Sequence, residues 1–267
     1  MKRVKAWLLQ RMTDWLTHEA NAAGWPLCDF DRLRFEIRPA DVLLIEGRAR
    51  ISRVIQTVTR SVWTHSALYI GHLHDIEAID VRDQIRAVLP RGLEHEPLVL
   101  EALLGQGVVV TPLSAYRDYH VRICRPHGLA MPDVHRVIAY AVERLGVGYD
   151  VRQLFDLARL LFPYALLPRR WHSTLFEYDA GTELRIVCAT LIADAFGSVQ
   201  FPILPQLDPQ ASGEVRIKPR NTRLFTPCDF DYSPYFDIIK YPYMPHTERC
   251  LYEQLPWSDD FHYGGDK

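Results

Sequence analysis

The chain has 267 residues, 48% of them hydrophobic, enough for one large core, and its 31 basic and 33 acidic residues nearly cancel. No long basic run occurs, which argues against a nucleic-acid partner, and no apolar run approaches the roughly 18 residues of a membrane span. The five cysteines, Cys28, Cys124, Cys188, Cys228 and Cys250, are odd in number and lack CxxC spacing, so a reducing, cytoplasmic setting is expected rather than a disulfide framework or a cysteine-rich zinc site.

The first stretch, "MKRVKAWLLQRMTDWLTHEANAAG", opens like a signal peptide, but Ala6–Leu9 is too short an apolar region and Gln10, Arg11 and Asp14 interrupt it. Val4, Trp7, Leu8, Met12, Trp15 and Leu16 instead share one helical face. Such a helix either docks on the protein's own core or lies at a membrane interface, which adds peripheral contact with the inner membrane face to the expectation. Residues 1–37 are read as this helical arm and a linker, 38–200 as the main domain, and 201–267 as a Pro/Tyr-rich extension.

Within the main domain, "DVLLIEG" (41–47) reads as a strand. "ISRVIQTVTR" (51–60) puts Ile51, Val54, Ile55 and Val58 on one helical face. "HSALYIG" (65–71), "PLVLEALL" (97–104), "GVVVTPL" (107–113) and "YHVRICRP" (119–126) read as further strands, the middle two flanking the turn at Gly105 and Gly107. "PDVHRVIAYAVERLG" (132–146) is the clearest helix, bracketed by Pro132 and Gly146. Residues 151–176 are unusually apolar and broken by prolines, either core helix and loop or a hydrophobic lid ending in Arg169, Arg170 and Trp171. Strands first and helices later indicate an α+β fold. No Gly-rich phosphate loop and no GxSxG elbow is present.

"RIVCATLIADAFG" (185–197) carries the chemistry. Leu191, Ile192, Ala195 and Phe196 recur at helical spacing and Gly197 fits a stop, so Cys188 falls at or next to a helix N-terminus. The helix dipole there favours an anion, and a thiol so placed drops from about 8.5 toward roughly 3.5–7.5. The alternative is a small buried hydrophobe. A nucleophile needs a base and an orienter. His65 begins an apolar strand, where a histidine reaches a cleft from a rigid support; Tyr69 shares its face. Glu101 stands alone among aliphatic residues, and a carboxylate there requires a partner if buried. On a neighbouring strand it would hold one imidazole nitrogen and leave the other for the thiol proton. A competing zinc site drawing on His72, His74, His65 and His95 would need three or four convergent ligands.

Taken together, "DVLLIEG", "HSALYIG", "VLEALLGQGVVVTPLSAY", "LGVGYD" and "VCATLIADAF" resemble the permuted papain-like branch of the NlpC/P60 superfamily, above all the YiiX/YaeF-like amide hydrolases; lecithin–retinol acyltransferase-like enzymes share that branch. The resemblance covers roughly residues 38–200 and implies an antiparallel sheet or small barrel packed on helices. It implies Cys188 as nucleophile, His65 as base and Glu101 as orienter, with Tyr149 near the site, lining the pocket or donating to the oxyanion. Serine often follows the family's cysteine, whereas Ala189 follows here. The expected activity is a cysteine hydrolase or acyltransferase that cleaves an amide or ester through a thioacyl-enzyme, with no metal or organic cofactor. Tyr149 and Tyr69 are the expected substrate contacts. The apolar 151–176 segment and the N-terminal helix favour a lipid or acylated substrate; a peptide or peptidoglycan-type amidase and a non-catalytic ligand-binding module are the alternatives.

Overall fold

In the computed structural model, residues 13–19, 27–148, 187–209 and 214–242 are described, together with Trp7 and Arg11. The first half runs α1 (Phe30–Glu36), β1 (Val42–Ile45), α2 (Arg50–Thr59), β2 (His65–His72), α3 (Ile79–Val88), β3 (Pro97–Leu103), β4 (Gly107–Pro112) and β5 (Val121–Pro126). Then come α4 (Met131–Val142), α5 (Val187–Gly197), β6 (Gln206–Pro209), β7 (Val215–Lys218), α6 (Pro227–Tyr232) and β8 (Phe236–Ile239).

Six strands pair antiparallel in the order β4-β3-β2-β1-β5-β8, and β6 with β7 forms a separate ribbon. The large sheet is open, with β4 and β8 at its edges, so of the two expected arrangements the sheet is realised and the small barrel is not. All four residues of β1 are buried because both faces of the sheet are covered, which is why this strand reads as a continuous apolar run and not as an alternation. Leu68, Leu98 and Leu100 face α4 and α5, packing with Val137, Ile192 and Phe196. Leu43, Ala67, Tyr69 and Val99 face the other way, toward Phe30 and Leu33 of α1. Each large aliphatic side chain so buried stabilises the fold by about 1.5–3 kcal/mol.

Most elements fall where periodicity places them. The helix expected over 132–146 ends at Val142 because the chain tightens: Arg144 and Leu145 donate to carbonyls three residues back, at Ala141 and Val142. The linker expected over 25–37 contains α1, capped by the Asp29 side chain accepting from the Arg32 N–H. The stretch after 200, expected as an extension, supplies edge strand β8. It also supplies Asp231, which accepts from the Trp63 indole at 3.3 Å and from Arg122 at 2.6 Å. Across the sheet, Arg125 grips the buried Asp41 carboxylate through Nε at 3.0 Å and Nη2 at 2.8 Å, tying the entry to β1 onto β5. The expectations for 151–176 and for 243–267 lie outside the described residues.

Candidate active site

Helix α5 is apolar nearly all round because it lies between β2 and α4 and is buried on both sides. Cys188 is its second residue and is 5% exposed, so its sulfur meets the positive end of the helix. His65 is the first residue of β2, paired with Ile45 of β1. Glu101 of β3 pairs with Ala67, two residues along on the same face, which puts its carboxylate within diagonal reach of the imidazole. His65 Nε2 and Glu101 Oε2 are 2.5 Å apart, and the Tyr116 hydroxyl donates to that same oxygen. With Nε2 committed, Nδ1 is the nitrogen left for the hydrogen bond that joins His65 to Cys188.

Charge follows from this geometry. Burial alone would push the imidazole down, but the Cys188 thiolate, the hydrogen bond with it and the bond to Glu101 outweigh burial and raise His65 to about 10. Burial likewise pushes the Cys188 thiol up, and the His65 charge with hydrogen bonds from His65 and Ser66 more than reverses it. For Glu101, burial is overcome chiefly by His65, then by Thr111 and Tyr116, and the carboxyl stays below its ordinary value. The pairing therefore favours the thiolate–imidazolium form, against the cost of burial.

Residues 36–158 match the family described as permuted papain-like amidase enzyme, YaeF/YiiX, C92. This stretch resembles the YaeF/YiiX permuted papain-like amidases. The match spans just under half of the chain; it contains His65 and Glu101 and ends before Cys188. The chain is also similar to a crystal structure described as the metalloprotein yiiX from Escherichia coli O157:H7, at 13% identity, covering 78% of this chain and 98% of that one with a TM-score of 0.45. No curated protein matches the chain.

Two residues of this site escape a reading of the sequence. Tyr116 follows the β3–β4 hairpin, and nothing in "PLSAY" marks it as a carboxylate partner until the hairpin folds back. Ser66 points to the α5 face of the sheet; its hydroxyl is fully buried, engages no protein nitrogen or oxygen, and lies against the Cys188 sulfur. A serine beside a histidine is too common to be a signal by itself. Of the expected substrate contacts, Tyr69 is 4% exposed and packs in the core on the α1 side, away from the cavity at Cys188, while Tyr149 lies outside the described residues.

A cavity of about 330 Å³ opens onto Cys188 and His65. Ile51 and Ile55 of α2 and Ala102 to Leu104 at the end of β3 make its walls largely apolar. Thr17 and Glu19 of the N-terminal arm close one side. That arm is docked: Leu16 is fully buried, Glu19 bridges Ala49, and the Tyr119 hydroxyl donates to Glu19 at 2.5 Å. Trp7 and Trp15 remain exposed, at 58% and 48%. Among the described residues no helix is long and apolar enough to cross a membrane.

The electrostatics make one direct forecast. The pH midpoint for iodoacetamide alkylation of Cys188 is expected below the ordinary thiol value. His65→Ala should move it above that value, because burial, the largest effect, is then opposed only by Ser66 and the helix start. Ser66→Ala should move it the same way by a smaller step and leave the fold intact. Midpoints that coincide in all three proteins would show that neither residue stabilises the thiolate.

Proposed function

We propose that this chain is a cysteine-dependent hydrolase or acyltransferase that cleaves an amide or ester bond of a lipid or other acylated substrate through a Cys188 thioacyl-enzyme. What carries this reading is the apolar cavity that opens onto the sulfur, with Cys188 and His65 both in its wall. The Cys188 thiolate attacks the acyl carbonyl, and backbone N–H groups at the start of α5 face the developing oxyanion. His65, held by Glu101, protonates the leaving amine or alcohol. It then takes a proton from water or a second acceptor, which attacks the thioester and frees Cys188. An aliphatic acyl chain fits the walls formed by Ile51, Ile55, Leu103 and Leu104 better than a polar peptide does. The exposed Trp7 and Trp15 beside the arm that closes the cavity suit a protein that meets its substrate at a membrane surface.

The test is a panel of acyl amides and acyl esters of increasing chain length, run beside polar peptide amides, with Cys188→Ala as control. Release should depend on Cys188 and rise with chain length, and the protein should bind anionic vesicles in a manner that weakens with salt. Faster cleavage of polar peptide amides than of every acyl substrate, with no vesicle binding, would replace the lipid reading with a peptide or peptidoglycan-type amidase. No Cys188-dependent turnover on any of them would favour a ligand-binding module.

A further inference from the structure

The far end of β2 carries two histidines that the thiol chemistry does not use. His72 closes the strand, and the chain then makes a single 3-10 turn over Leu73–Asp75, anchored by the buried Leu73. That turn brings His74 and Asp75 back onto His72. Both carboxylate oxygens of Asp75 are engaged, Oδ2 at 3.2 Å from His72 Nδ1 and Oδ1 at 3.3 Å from His74 Nε2. The two imidazoles stack with centroids 5.2 Å apart and planes inclined by 29°. One ligand atom from each of the three residues lies within 4.8 Å of the other two.

We propose that His72, His74 and Asp75 form a binding site for a divalent transition-metal ion of the Zn²⁺ type, which clips the turn between β2 and α3. The donor set selects the ion. Two neutral imidazoles and one carboxylate suit Zn²⁺ and its borderline neighbours, whereas Ca²⁺ and Mg²⁺ call for a shell of oxygens. The spacing agrees. Bonds of about 2.0–2.1 Å in a tetrahedron place neighbouring ligand atoms about 3.3 Å apart, and each imidazole already stands 3.2 or 3.3 Å from one of the two Asp75 oxygens, with one ligand atom per residue inside 4.8 Å. The exposed Asp75 carboxylate has to turn one oxygen toward both imidazoles, and the gap between the imidazoles has to close. His74 is 66% exposed and has room to rotate to close it. Three protein ligands leave a fourth position to water, so the ion would sit open to solvent and exchange readily. His65 and His72 stand at opposite ends of the eight-residue β2, a separation of roughly 23 Å at about 3.3 Å per residue. The ion therefore holds a turn and takes no part at Cys188.

The experiment is a Zn²⁺ titration of the full chain against a chromogenic chelator, in the Cys188→Ala background so that the active-site thiolate does not compete. One equivalent should be held, and His72→Gln with His74→Gln should remove it. Asp75→Asn keeps both imidazoles and should weaken binding by about tenfold or more. Co²⁺ in place of Zn²⁺ should give the visible absorption of a tetrahedral site in the parent and not in the double variant. All three residues are at least one-third exposed, so the variants should fold, which circular dichroism checks. Identical titrations of parent and double variant would overturn the site, and undiminished affinity in Asp75→Asn would reduce it to a histidine pair. In the chain that retains Cys188, its alkylation rate should not change when His72 and His74 are replaced. A marked change would overturn the separation of the metal from the thiol.

Discussion

Replacing Cys188 by alanine is expected to abolish covalent labelling by an acyl-directed thiol probe and to lower acyl turnover by about 10⁴-fold or more, with the fold retained. The change removes one sulfur from a packed helix start and leaves the oxyanion donors in place, so any residual activity reports binding and N–H stabilisation alone. His65→Ala should cost about as much, since the thiolate loses its counter-charge and the leaving group loses its proton donor. The other described cysteines are poor substitutes. Cys28, Cys124 and Cys228 are buried, and burial pushes each of their thiols up, where His65 brings Cys188 down. Labelling of Cys188→Ala at the wild-type rate, located on one of those residues by peptide mapping, would remove Cys188 from the role.

Glu101→Gln is expected to keep the fold and lower turnover by about 10²- to 10⁴-fold. Glutamine has nearly the same shape, so the loss is one of charge. The imidazolium loses the carboxylate that offsets its burial, its pKa falls, and less of the thiolate–imidazolium pair is present at neutral pH. The sign is testable in the pH–rate profile. His65 is raised in the native protein, so the alkaline limb lies high and should shift downward in Glu101→Gln. Because Glu101 acts through His65, the double variant Glu101→Gln with His65→Ala should be no slower than His65→Ala alone. A fully active Glu101→Gln enzyme, or losses that multiply in the double variant, would assign the orienting role elsewhere.

Several elements were legible because their pattern is local. The apolar runs Val42–Ile45 and Ala67–Ile70 are strand signals that β1 and β2 carry. Pro132 at the start and the apolar face of Val134, Val137, Ile138 and Ala141 mark α4. Weaker signals were lost. Helix α1 buries only Phe30 and Leu33 over seven residues, and α3 only Val81 and Ile85 over ten, too little periodicity to separate from linker. Strand β8 is four residues of "FDII" whose conformation depends on the β5 edge it joins.

The sequence by itself determined which residue types were available for chemistry and what local support each had. It placed a cysteine at a helix start, a histidine at a strand start, and a carboxylate in an aliphatic run that demanded a partner. Those are properties of backbone period, helix dipole and desolvation, which act over a few residues. Only the tertiary structure decided that Ala67 pairs with Glu101, that α5 presents Cys188 at the end of β2, that Tyr116 donates to Glu101 and that Ser66 lies beside Cys188. It also decided that the N-terminal arm closes the cavity and that Asp75 turns back between two histidines. Strand order and helix packing join residues dozens of positions apart by burying shared apolar surface, and no local periodicity encodes which distant partner that surface will meet.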